Sequence, residues 1–161
     1  MIGAVILLIG ILVGIIHIAV KRNSLDRAGK VELLLLYCLV FGVGVFGANS
    51  FVMHVFFPEY VAPMIGWDVS PFETEVGIHD GAWALLAFLA IWIRGTFWHA
   101  VVLGWSFFMI GAGIGHLKDT LVHGNYEPYN FGMIFFDLGE ALLLIVLWLA
   151  WIRLSSNKQR K

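Results

Sequence analysis

Histidine and carboxylate side chains recur inside stretches of this sequence that are otherwise apolar, and they could carry chemistry there. Glu75 and His79 are four residues apart in PFETEVGIHDGAW, and Asp137 and Glu140 are three apart in a later apolar stretch. On an α-helix, each of these spacings places both side chains on the same face. Burying an ionisable group in a bilayer costs roughly 3 kcal/mol on insertion scales, so such groups usually face protein or water and serve a function.

Two facing pairs of this kind resemble the ligand supply of carboxylate-bridged metal sites in helical bundles. Carboxylate and imidazole ligands favour iron, manganese or zinc, whereas copper(I) prefers sulfur, and the methionines are scattered along the sequence. We therefore predict a metal site, with iron or zinc as the expected ion. The predicted ligands are Glu75, His79, His116, Asp137 and Glu140, together with His54 as a ligand or supporting group.

Other interpretations of the same residues stay open. Asp80 or Glu140 could simply hydrogen-bond a neighbouring helix as a protonated acid, and Glu73 is explained by a helix cap alone. The set as a whole has no basic partner, because no Lys or Arg lies within the predicted spans. A metal ion, a cavity that handles protons or a small ligand, or purely structural pairing would each make the burial of these groups tolerable.

His17 and His99 raise one further cofactor, because histidine pairs at two depths are the pattern of a two-haem b-type cytochrome. Acids crowd the other histidines, however, and haem ligation needs none of them. We therefore expect His17 and His99 to be interfacial, and haem b is the less favoured cofactor. The sequence contains no G-x-S-x-G, H-E-x-x-H or phosphate-loop motif, so it gives no sign of a nucleophile or a known hydrolytic metal centre.

The segments that must position these residues are apolar and long. The chain is 60% hydrophobic and 13% charged, about half the charged fraction of a soluble domain, which indicates an integral membrane protein. A helix needs about 20 apolar residues to cross a bilayer. We predict a single all-α bundle of about five transmembrane helices over residues 1–152. The predicted spans are residues 1–20, 31–57, 72–93, 97–116 and 131–152, followed by a basic tail at 153–161.

Basic residues predict the orientation of the bundle. They are concentrated in the first connection, at Arg94 and in the tail, whereas the second connection has acids and no base. With five crossings, the positive-inside rule places the C-terminus in the cytoplasm and the N-terminus outside a prokaryotic plasma membrane. The predicted metal ligands then share one depth in the outer leaflet. The net charge of −1 and the lack of a basic stripe give no indication of a nucleic-acid partner.

Local signals predict where some of these helices begin. Ser70, Pro71 and Glu73 have the pattern of an N-cap serine, a first-turn proline and a capping-box glutamate. Asn130 is the predicted N-cap of the last span, and Ser24 with Asp26 could cap an interfacial turn that leads into the second span. The polar residues of interest would then lie within one to three turns of a helix start.

Several stretches carry a resemblance to a known family. They are ELLLLYCLVFGVGVFG (32–47), HVFFPEYVAPMIGW (54–67), PFETEVG (71–77), GAGIGHLKD (111–119) and NYEPYNFGMIFFDLG (125–139). The sequence resembles small multi-span membrane proteins of bacteria and archaea that form a domain family of unknown function. It is also similar in size and hydropathy to DoxX-like membrane proteins. The resemblance implies a helical membrane bundle without a settled activity; Glu75, His116 and Asp137 match the family pattern, whereas His79 and Asp80 depart from it.

Three hypotheses for function follow. The leading one is a membrane-embedded metal-binding protein with a His/carboxylate site in the outer leaflet, acting on a lipid or quinone. The second is a proton-coupled or lipophilic small-molecule binding or transport protein without metal. The third is an accessory subunit of a larger membrane complex. The expected partners are the lipid bilayer, a lipophilic small molecule, and a second copy or a membrane-complex partner, and whether the protein is an enzyme stays open.

Overall fold

The structure is a computed structural model that describes residues 1–159, with side chains through residue 157. It is all-helical, and no strand occurs within the described residues. The helices are α1 (Ile2–Val20), α2 (Arg27–Cys38), α3 (Phe46–Phe56), α4 (Pro58–Met64), α5 (Phe72–Leu89), α6 (Thr96–His123) and α7 (Pro128–Gln159). A π-helical segment, Leu39–Val45, joins α2 to α3 without a break.

Within the described residues, four helices are long and apolar enough to cross a membrane. They are Ile2–Val20, Arg27–Phe56, Thr96–His123 and Pro128–Asn157. The remaining predicted span corresponds to α5, which has 18 residues and contains Glu73, Glu75 and Asp80. The all-helical membrane fold is therefore confirmed, while a fifth crossing and the orientation stay predictions. Helix α7 continues into the predicted basic tail, of which residues 160 and 161 lie outside the described part of the chain.

Long neighbouring helices form the bundle. Helix α7 packs along α6 and also contacts α2, while α5 packs on α3 and on the π-helical segment. The core between them contains two fully buried tryptophans, Trp98 and Trp105, and aliphatic residues such as Leu35 and Leu39. Because lipid tails are as apolar as these side chains, close packing rather than the hydrophobic effect must hold membrane helices together.

Glycines allow the closest helix contacts in the bundle. A Cβ atom on Gly47 of α3 would lie 2.8 Å from the backbone oxygen of Asp80 on α5, so only glycine fits there. On α6, a Cβ atom on Gly113 would lie 2.9 Å from Leu138 Cγ and 3.2 Å from Asp137 Cβ of α7. These contacts fix how far Asp80 and Asp137 stand from the neighbouring helices.

The ends of the helices differ in part from the prediction. Helix α5 begins at Phe72 with Pro71 as N-cap, and within the described chain no side chain caps it, so the predicted capping box is wrong. Helix α7 already begins at Pro128, which places Asn130 inside the first turn and makes its prediction as N-cap wrong too. The prediction for Asp26 is confirmed, since its Oδ1 accepts from the Gly29 amide at 2.8 Å, whereas Ser24 Oγ donates to the Lys21 carbonyl at 3.0 Å.

Candidate functional site

A cavity of about 660 Å³, here called the main cavity, lies between α1, α3, α4, α5, α6 and α7. This volume is in the range of small-molecule sites. All five methionines of the chain line it, and so do several aromatic rings. The methionines are Met1, Met53, Met64, Met109 and Met133, and the aromatic residues include Phe46, Tyr60, Trp67, Phe108 and Tyr129. Thioether side chains are flexible and polarizable, so such a wall can adapt to ligands of different shape.

A few polar side chains interrupt this apolar wall. The polar residues are Asn49, Ser50, His54, Asp80, His116 and Asp137. Asp80, His116 and Asp137 are buried, and they come from three different helices. An apolar cavity with a small number of converging polar groups is the usual form of a ligand site.

Asp80 is held by donors on both carboxyl oxygens. The Ser50 hydroxyl donates to Oδ2, and His79 Nδ1 donates to Oδ1 at 3.0 Å. Trp83 Nε1 in turn donates to His79 Nε2 at 2.9 Å, which assigns the proton of the neutral imidazole to Nδ1. The carboxyl group of Asp80 therefore ties α5 to α3 and has a donor for each oxygen.

The orientation of His116 is set by an amide on α7. Asn130 Nδ2 donates to Thr120 Oγ1 at 3.1 Å and to the Asn125 carbonyl at 3.2 Å, so Asn130 Oδ1 is turned toward the histidine. It accepts from His116 Nδ1 at 2.6 Å, which leaves Nε2 of the neutral ring as an acceptor. The Trp67 ring stacks on the His116 ring, with the two ring centroids 5.4 Å apart and the ring planes 19° from parallel.

Asp137 has no comparable partners. Its exposed fraction is 1%, and neither carboxyl oxygen has a hydrogen-bond partner among the described residues. Its Oδ2 lies 3.9 Å from His116 Nε2, which is too far for a hydrogen bond. One turn further along α7, Glu140 Oε1 accepts from Trp105 Nε1 at 3.3 Å and packs against Gly42 of the π-helical segment.

A fourth acid, Glu73, pairs with the remaining histidine of the cavity wall. His54 Nδ1 and Glu73 Oε2 are 2.6 Å apart, and both side chains are largely buried. This contact links the end of α3 to the start of α5. The interpretation of Glu73 as a simple helix cap is wrong, because the side chain turns toward α3 instead of toward its own helix start.

A family model matches residues 1–158, nearly the whole chain, and is described as a family of unknown function (DUF6790). The chain belongs to this family. No curated protein and no solved structure matches the sequence. The expected membership in an uncharacterised family is confirmed, while a bacterial or archaeal origin and the likeness to DoxX stay predictions.

The structure of this DUF6790 chain separates the predicted metal ligands. His54, His116 and Asp137 line the main cavity, whereas Glu140 lies deeper in the core and Glu75 is exposed. His79 uses both ring nitrogens in contacts with Asp80 and Trp83. Nowhere in residues 1–157 do three or more His, Cys, Asp or Glu side chains come close enough to hold a metal ion. The structure thus does not support the predicted iron or zinc site.

Two features of the cavity could not be predicted from the sequence of this DUF6790 chain. The methionines seemed scattered, yet they line one space, and no spacing rule within a single helix could have shown this. A hydrogen bond between Asp80 and a neighbouring helix was one of the expected alternatives, but its partner, Ser50 on α3, could be identified only with the helix pairing known. The haem alternative is untested, but His17 and His99 have polar partners, Tyr37 at 3.0 Å and Trp148 at 2.6 Å.

Proposed function

We propose that this DUF6790 protein binds a small lipophilic molecule in the main cavity, within the membrane. The observation that carries the proposal is the cavity itself. Its volume of about 660 Å³ suits a small organic molecule, and methionine, aromatic and aliphatic side chains supply most of its wall. Ligand chemistry of this kind needs no metal, and chelation should leave binding unchanged.

The polar groups of the cavity support binding rather than catalysis with an activated nucleophile. Ser50 donates its hydroxyl proton to Asp80 and has no histidine as a base. His54 and His116 are engaged through Nδ1 with Glu73 and Asn130. These contacts hold side chains in place around an apolar space, which is how a binding site orients its ligand.

A cavity-filling variant tests this proposal. Ala112 lines the cavity on α6, whereas Ala100 lies on an exposed part of the same helix. In lipid nanodiscs, 2-(1-naphthyl)ethanol should raise the thermal unfolding temperature of the wild type and of Ala100→Trp in a saturable way. Ala112→Trp should lose this response, because the indole occupies the space of the ligand.

Two results would contradict binding in the main cavity. One is a wild type whose unfolding temperature shows no saturable response to 2-(1-naphthyl)ethanol or to its amine analogue, 2-(1-naphthyl)ethylamine. The other is an Ala112→Trp variant that responds as the wild type does. The same titration in the presence of EDTA separates this proposal from the metal hypothesis. A response that disappears with chelator and returns with zinc or iron would favour the metal site instead.

A further inference from the structure

The hydrogen-bond acceptors of the main cavity specify the polar group of its ligand. Asp137 lines the cavity, and only 1% of its surface is exposed. Both of its oxygens are without a donor among residues 1–157. A buried carboxyl group that lacks donors is costly, and in a native structure it calls for an explanation.

His116 adds an acceptor beside this carboxyl group. Because Asn130 Oδ1 accepts from His116 Nδ1, the neutral ring presents the lone pair of Nε2. Nε2 is 3.9 Å from Asp137 Oδ2, so the two acceptors are too far apart to bond each other. A single donor nitrogen placed between them, at about 2.9 Å from each, could donate to both.

The charge of the surroundings favours a cation. Asp80 is a second acid in the wall of the same cavity. Within the described part of the chain, neither Lys nor Arg lines the cavity. Trp67, Phe108 and Tyr129 also line the cavity, and aromatic rings attract organic cations.

We propose that the ligand is a lipophilic amine, bound as its ammonium ion, with Asp137 as its ion-pair partner and His116 Nε2 as a second acceptor. This inference rests on the proposed function and adds the chemical class of the ligand. A carboxylic acid would bring a further negative charge against Asp137. An alcohol has one hydroxyl proton and no charge, so it can satisfy only one of the two acceptors.

Three probes of equal ring size test the head group directly. They are 2-(1-naphthyl)ethylamine, 2-(1-naphthyl)ethanol and the carboxylic acid 1-naphthylacetic acid. Each is titrated into wild-type protein in zwitterionic nanodiscs, with protein-free nanodiscs as the blank. We expect the amine to bind about tenfold or more tightly than the alcohol, since hydrogen bonds to charged groups are the stronger ones. The acid should bind most weakly of the three.

Asp137→Asn removes the charge at nearly constant volume, and Glu75→Gln is the matched control because it removes the same charge from an exposed position. We expect Asp137→Asn to weaken the amine about tenfold or more and to change the alcohol little. Glu75→Gln should bind all probes as the wild type does. His116→Phe, which keeps a ring against Trp67, should weaken the amine less than Asp137→Asn does.

The outcomes separate the two proposals. Equal affinity of the wild type for all three head groups would overturn the amine inference and leave cavity binding in place. An equal loss of amine and alcohol in a folded Asp137→Asn variant would overturn the assigned role of Asp137. If no probe binds, both proposals fail. The comparison of head groups uses the wild type, so it holds even if a variant does not fold.

Discussion

Asp80 and Asp137 are two buried acids in the wall of one cavity, and they differ in the hydrogen-bond donors that surround them. The oxygens of Asp80 accept from Ser50 and His79, and the His79 ring is itself held by Trp83. Asp137 is equally buried but, among the described residues, without a hydrogen-bond donor. Burial alone therefore does not distinguish these two acids; the number of donors aimed at each carboxyl group does.

The two acids should differ most in their effect on stability. Asp80→Asn replaces one acceptor oxygen by an amide that cannot accept, so either Ser50 or His79 loses its acceptor. We expect a loss of about 2 kcal/mol in the free energy of unfolding. Asp137→Asn removes a carboxyl group that no donor satisfies in residues 1–157, so stability should be unchanged or higher. Unfolding of both variants in the same detergent measures this, and equal losses would break the comparison.

A pair of glycines tests how the helices position Asp80. Gly47→Ala puts a methyl group 2.8 Å from the Asp80 backbone oxygen, which a backbone atom cannot easily avoid. We expect a loss of about 1.5 kcal/mol, as for other overpacked contacts. Gly139→Ala is the control, since the described structure places nothing within 4 Å of its Cβ and alanine favours helix. A stable Gly47→Ala variant would show that α3 and α5 are not in this close contact.

The smallest effect on stability is expected from removing the Ser50 hydroxyl group, which donates to Asp80. Ser50→Ala removes one donor from a buried carboxyl group and should cost about 1 kcal/mol of unfolding free energy. Ser106, also buried, has an Oγ without a partner in the described part of the chain, so Ser106→Ala should be neutral or stabilising. If the two serine variants lost equal stability, the hydroxyl contact would not explain the difference between the acids.

The sequence predicted the helices well because apolar length and charge determine membrane segments directly. It also selected His54, His116 and Asp137, which the structure places around one cavity. These residues stood out because ionisable groups in apolar helices are costly wherever their side chains point. The position along the helix was enough to find them.

The partners of these residues depend on rotation about the helix axis and on neighbouring helices. The Leu39–Val45 segment is π-helical, so its wider turns shift the faces of α2 and α3 relative to a regular α-helix. The period of 3.6 residues per turn therefore does not predict which residues of α2 and α3 share a face. Glu75 and His79 lie outside this segment, on the regular helix α5, and there the surroundings of each side chain decide its contacts: Glu75 is exposed, whereas His79 contacts Asp80 and Trp83. The metal site predicted from that spacing is not supported by the described part of the chain, in which no three His, Cys, Asp or Glu side chains come close enough to hold a metal ion.

Infrared difference spectroscopy can observe the two acids separately while 2-(1-naphthyl)ethylamine binds. We predict that the amine changes a carboxyl stretching band in the wild type and in Asp80→Asn, and that this change is lost in Asp137→Asn. A band change that persists in Asp137→Asn, or that is lost only in Asp80→Asn, would contradict the assignment of Asp137 as the ligand-binding acid.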